Sequence, residues 1–380
     1  MSIPRRELLI GVGSGILAGC LGRDDAPDAA FEPNTTEVES YTLDIDAEQI
    51  PVGNDPPADS PSNAPPISDR VLSSPLPLQA LSDEVVDGGI PKDGFPSVDE
   101  PTFLASDADH EIPEATTVFG IVHGGEAKAY SRRVLVQHEI VNDTIAGEAI
   151  SLTYCPLTGT AHGYFRGSTE FGVSGRLLNN NLVMYDRERE RWWAQILACS
   201  IPGEWSDTAG GATLAECNVV RTSLNSWLET YPESLIMSEE TGYARMYGID
   251  PYAERGYFST STITFPTIHI SERHHPKAWV HGVRSDEGSV AFLRESLKEA
   301  ELIHAQIGDL PVVAVWDSTL ESAFVYRNPD NRRFNLADGI VYDEIGESYA
   351  PNAINLEQMI GIDAFWFAWV GFYPTSTFYE

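Results

Sequence analysis

The chain repeats itself, and a repeat restricts the fold more than any single motif, because both copies must adopt the same plan. Residues 118–130 parallel residues 280–292. Each segment reads as strand, glycine-containing turn, strand, the pattern of a β-hairpin. A short helical stretch follows in both, over 132–139 and 293–303. Ile145-Ala146-Gly147 then matches Ile307-Gly308. Two apolar strands come next, 149–154 with 162–166 against 312–316 with 323–327. Val183-Met184-Tyr185-Asp186 echoes Ile340-Val341-Tyr342-Asp343. Trp227–Pro232 finally echoes Trp369–Pro374 across numbers 227–232 and 369–374, and each proline stops a short helix. The expected fold is α+β and β-rich: two related, mainly-β halves with short helices, packed as one unit in a pseudo-twofold arrangement. The first half spans 76–279 and the second 280–380.

Ahead of these halves the composition changes twice. Arg5-Arg6, a short apolar run over 8–18 and Leu17-Ala18-Gly19-Cys20 read as a twin-arginine lipoprotein signal peptide over 1–19. The apolar run falls short of the roughly 20 residues a spanning helix needs. Cys20 is then the lipidated residue. Residues 20–75 are acidic and rich in Pro, Ser and Asn, with too little apolar surface to offset the entropy of ordering, and read as a disordered tether. The expected location is the extracellular face of the cell membrane, with the membrane itself as partner through the lipid anchor. Acidic residues number 57 against 24 Lys and Arg, for a net charge of -33. That balance excludes nucleic acid as a partner, since phosphate binding needs a basic footprint. It reads as a salt-adapted surface, because screening at about 1 M salt shortens the Debye length to about 3 Å and removes most self-repulsion.

The chemistry-bearing residues concentrate in the first half. In Tyr154-Cys155-Pro156-Leu157-Thr158-Gly159-Thr160-Ala161-His162, a thiol ends an apolar strand and a histidine stands across the turn. A Cys–His pair supplies either a nucleophile with its base or two ligands of a soft metal. His138-Glu139-Ile140-Val141-Asn142-Asp143 is a second polar cluster, which lacks the second histidine of a zinc-protease helix. His138 is an alternative base; Glu139, Asn142, Asp143, Thr158 and Thr160 are candidate ligand contacts. A third group holds Ser174-Gly175-Arg176, Asn179-Asn180-Asn181 and Tyr185-Asp186-Arg187, from which Arg176, Asp186 and Arg187 are candidate ligand contacts. Asp186 also has a repeat counterpart in Asp343, the mark of a structural role. His269, His274, His275 and His281 form a histidine-rich patch that reads as a surface or inter-half loop, with a metal site as the alternative. Aligning Arg166 on Arg327 puts Trp316 at the place of Cys155, Thr319 at Thr158, Glu321 at Thr160 and Ala323 at His162. The fold therefore does not require the Cys/His set. With Cys20 lipidated, three cysteines remain; Cys199 and Cys217 bracket a glycine-rich loop and are able to pair, as is Cys155 with either.

Residues 154–161, 138–143, 171–175, 183–187 and the closing 365–374 together resemble the domain-of-unknown-function 3179 family from about Gly88 to the C-terminus. The family shows Cys-Pro-Leu-Cys-Gly-Thr, where this chain has Thr158 in place of the second cysteine. The resemblance implies a shared fold and brings no activity; the acidic, exported start is similar to that of a haloarchaeal cell-surface member.

Three function classes follow. The first is a cell-surface lipoprotein domain that binds a small ligand or a metal ion in a polar pocket of the first half. The second is a cysteine-dependent enzyme with Cys155 as nucleophile and His162 or His138 as base. The third is a structural or interaction module. The anchor is directly testable: Cys20→Ser is expected to move the expressed protein from the membrane fraction to the soluble fraction, and a variant that still sediments with membranes would remove the lipid anchor from the reading.

Overall fold

The computed structural model describes residues 50–52 and 65–380; the signal peptide, Cys20 and most of the tether lie outside the described residues. No helix among the described residues is long and apolar enough to cross a membrane. Packing starts ahead of Leu76: Ile67 bridges Leu214, and Leu72–Ser74, with Leu72 in the core, pairs antiparallel with Ile50–Val52.

The repeated part of the first half opens with the hairpin β1 (Thr117–His123) and β2 (Glu126–Ser131). Its two turn residues, Gly124 and Gly125, both have positive φ, which side-chain-bearing residues resist. Ser131 caps helix α1 (Arg132–His138) by accepting from Arg133 N. A meander follows: β3 (Ile140–Ile145), β4 (Glu148–Cys155) and β5 (Thr160–Phe165). After an excursion, β6 (Val220–Ser223) returns to pair with β1, and helix α2 (Leu224–Thr230) leads to β7 (Leu235–Met237), parallel to β2.

The second half repeats this sequence of elements. β8 (Trp279–Ser285), β9 (Gly288–Leu293), α3 (Arg294–Ala300) and the meander β10 (Leu302–Ile307), β11 (Leu310–Asp317) and β12 (Ser322–Arg327) come first. β13 (Gly361–Phe365) then pairs with β8, and α4 (Trp366–Phe372) leads to β14 (Thr377–Tyr379), parallel to β9. The β-rich, two-lobed α+β class expected from the sequence is the one observed. The excursions differ: the first half inserts Phe171–Leu178, Asn181–Asp186, Trp192–Ala194 and Cys199–Ile201 as one sheet, the second a smaller sheet of Phe334–Ala337, Ile340–Asp343 and Ser348–Tyr349.

The strand ends correct the sequence alignment by one residue. β5 ends at Phe165 where β12 ends at Arg327, so Arg166 is not the mate of Arg327. Cys155 corresponds to Asp317, Thr158 to Leu320, Thr160 to Ser322 and His162 to Phe324. The turns agree with this register, since Gly159 and Glu321 both have positive φ, as do Glu139 and Glu301 after the helices. Arg166 lies one residue past its strand, bonded to Thr169 O and Asp143 O, whereas Arg327 ends its strand, so the shared residue type misleads about register; one residue of slip exchanges the two faces of a strand.

Each half is organised around one tryptophan. Trp227 from α2 and Trp369 from α4 are fully buried, and each indole N–H donates to a serine seven residues on, Ser234 at 2.7 Å and Ser376 at 2.9 Å. The rings lie where a side chain on Gly120 or Gly282 would be: a Cβ there would meet the indole at 2.1 and 2.3 Å respectively. Trp227→Ala or Trp369→Ala is expected to cost about 3–5 kcal/mol, and Gly120→Ala or Gly282→Ala about 1–3 kcal/mol through overpacking. Urea denaturation of the four variants checks both ranges.

The halves pack reciprocally. β5 lies against β13, and its repeat mate β12 lies against β6, the repeat mate of β13. This isologous exchange of the same two surfaces is the signature of a twofold relation. A buried ion pair also crosses the junction, from Arg284 on β8 to Glu216 at 2.8 Å, with Arg70 joining Glu216 at 3.2 Å.

Candidate functional site

The strand pairing puts Cys155 opposite Thr160 and Thr153 opposite His162, so all four side chains share one face of the β4–β5 ladder. Sharing a face does not make them partners. Cys155 is a free, buried thiol directed at the Asn180 carbonyl, 3.4 Å away, and burial pushes it up to about 11. His162 is turned to the Tyr164 hydroxyl at 2.7 Å, and burial holds it down to about 3. Cys155 and His162 therefore each hydrogen-bond to another group and not to one another. His138, the alternative base, has both ring nitrogens occupied, by Pro96 O and the Tyr247 hydroxyl.

The remaining first-half candidates are mostly committed to holding the fold. Thr158, Thr160, Asn181 and Gln195 form a closed hydrogen-bond network that fixes the turn after Cys155. The Asn142 side chain binds Asp99, Phe171 N and O, and Ser151. Asp143 pairs with Lys128 at 3.0 Å and accepts from the Tyr130 hydroxyl at 2.6 Å. Asp186 accepts from Arg189 N and Trp193 Nε1, the structural role its counterpart Asp343 also has through Ile345 N and Glu347 N. Arg176 reaches Asp87 and Glu204, and Arg187 reaches Asp99 and Glu170. Cys199 and Cys217 are both free, so the bridge allowed by their spacing is not formed. No group of three or more His, Cys, Asp or Glu side chains suited to a metal ion occurs among the described residues.

Glu139 stands apart. It follows α1 in the left-handed conformation, and its mate Glu301 has the same backbone but is exposed. The Glu139 carboxyl is buried near Cys155 and Tyr252 and finds no hydrogen bond or ion pair among the described residues; burial raises it to about 8. The folded state therefore keeps a proton that the unfolded chain releases near its ordinary 4.5, and stability falls as pH rises from there to about 8. Glu139→Gln removes that dependence. Its melting temperature is expected to match wild type near pH 4.5 and exceed it above pH 8, with a limiting slope of about 1.4 kcal/mol per pH unit. Parallel melting curves across that pH range decide it.

The open space lies elsewhere, between the halves. A cleft of about 580 Å³ is lined by Thr117, Arg221 and Ser223 of the first half and by Trp279, Arg294 and Trp316 of the second. The turn after Cys155 backs its wall, since a Cβ on Gly159 would touch the Trp279 ring at 2.7 Å. Arg294 donates to Asp363 at 2.6 Å and to Glu321 O at 2.7 Å, and lies over the Trp316 ring. Asp363 also lies 3.0 Å from His281 Nδ1. Arg221 sits over the Trp279 ring, 4.1 Å from its centroid. His274 and His275 line the same cleft, while His281 lines a second, water-sized void beside it and His269 does neither. Sequence reading missed Arg221, Arg294 and Lys298. The available signal was their place in the repeat: Arg221 stands opposite Phe119 as Asp363 stands opposite His281.

A family described as "Protein of unknown function (DUF3179)" matches residues 92–376. No curated protein and no solved structure matches the chain.

Proposed function

This chain belongs to the DUF3179 family, and on that footing we propose that it is a lipid-tethered cell-surface domain that binds a small molecule in the cleft between its halves. The observation that carries the reading is the cleft itself. Its volume of about 580 Å³ falls in the range of about 300–1,000 Å³ common to small-molecule sites. Two tryptophans flank it with apolar area, and charged groups from both halves converge on it. The first-half residues around Cys155 act in this reading as the scaffold of one wall. The acidic surface and the tether keep the domain hydrated and clear of a membrane in concentrated salt, the setting of a haloarchaeal cell surface.

A thermal-shift panel of small anions, neutral metabolites, organic cations and divalent metals tests the proposal. A compound at a hundred times its Kd is expected to stabilise the folded protein by about 2.7 kcal/mol. Ala115 is exposed at the cleft edge, so Ala115→Trp should fill the entrance and abolish the response without lowering the unliganded melting temperature. Silence across the panel, or a response that survives Ala115→Trp, would remove the cleft as the site.

A further inference from the structure

We infer that the molecule bound in this cleft carries a compact anionic group, a carboxylate, phosphate or sulfate, received by the guanidinium of Arg221 with Lys298 as a second donor. The inference rests on the cleft reading and names the chemistry of its occupant.

The repeat supplies the argument. In the second half, Arg294 at the start of α3 closes onto Asp363 of β13. Their mates in the first half are Arg132 and Arg221, so an arginine stands where a carboxylate would complete the pair. Arg132 finds another partner, Asp250, at 2.8 Å. Arg221 finds none. Its guanidinium makes no hydrogen bond or ion pair among the described residues and has only the Trp279 ring beneath it. Burial and the nearby Arg294 charge lower it to about 10. Arg221 is half-buried in the cleft wall; a guanidinium partly withdrawn from water with its donors unmet carries a desolvation cost, and its planar fork matches a carboxylate, phosphate or sulfate through paired N–H donors.

The surrounding charge agrees. Four cationic side chains line the cleft, Arg221, Lys277, Arg294 and Lys298, against the two carboxylates Glu295 and Glu321. Over the whole chain acids outnumber bases by more than two to one, so the cleft reverses the sign of its surroundings. Arg294 is taken by Asp363, and Lys277 by Tyr257 O. Lys298 is exposed, lies 5.8 Å from the Trp316 ring centroid and makes no hydrogen bond or ion pair among the described residues. Of these four cations, Arg221 and Lys298 are thus the ones left uncommitted.

The test is titration of the folded domain with inorganic phosphate, sulfate and malonate at fixed ionic strength, read by calorimetry and by melting temperature. At least one should bind wild type. Arg221→Gln should weaken that binding at least tenfold, and Lys298→Gln severalfold. Without ligand, Arg221→Gln should melt no lower than wild type, because it removes a half-buried charge that has no hydrogen-bond or ion-pair partner among the described residues. Full anion binding by Arg221→Gln would overturn the assignment. So would an absence of anion binding alongside neutral or cationic compounds whose binding Ala115→Trp blocks, an outcome that leaves the cleft reading standing. If no compound of any class binds, both fall.

Discussion

The structure depends on a reciprocal contact: the closing strand of each half lies against the last meander strand of the other. A hairpin, a short helix and a three-stranded meander have exposed apolar faces and cannot bury them alone. Duplication solves this with one pair of complementary surfaces used twice. The tryptophan on each closing helix then fills the space left by a hairpin glycine, which ties the closing strand to the hairpin it joins. The cleft is a consequence of this arrangement, since it opens where the hairpins of both copies meet the closing strand of the first and the first helical residues of the second.

Departures from the repeat are where function becomes possible. The larger excursion of the first half and the aromatic residues Tyr252 and Tyr257 cover a region that the second half leaves open. That cover buries Cys155 and Glu139, whereas Glu301 stays in water. At the junction, one exchange of a carboxylate for an arginine, Asp363 against Arg221, turns a closed ion pair into an open donor. The buried Arg284–Glu216 pair shows the opposite arrangement, with charge meeting charge across the halves. Burying such a pair costs desolvation that its attraction only partly offsets. It does bind the N-terminal segment, through Arg70, to both halves.

How much of this was legible in the sequence differs by residue. The duplication was visible because hairpin glycines, helix-stopping prolines and apolar strands are local features. Its register was misread by one residue because Arg166 and Arg327 look alike in sequence, although one lies just past its strand and the other ends its strand. Cys155 and His162 were singled out correctly as special to the first half, and they do share a sheet face. Their side chains nevertheless choose other partners, the Asn180 carbonyl and the Tyr164 hydroxyl. Arg221 carried no motif at all.

The sequence by itself therefore determined the two-copy plan, the β-rich class, the acidic character and the positions of turns and helix ends. Each of these follows from nearest neighbours along the chain or from composition. Tertiary structure alone decided which polar groups are satisfied and which are left open. His138 is held by Pro96 and Tyr247, and Asn179 by Ile268 and Ala368. Arg132 is neutralised by Asp250, while Arg221 has no hydrogen-bond acceptor among the described residues and lies over the Trp279 ring. The physical reason is distance along the chain. Partners tens to hundreds of residues apart are assigned by packing of the two halves, and the energy of a buried polar group depends on that assignment far more than on the identity of the residue.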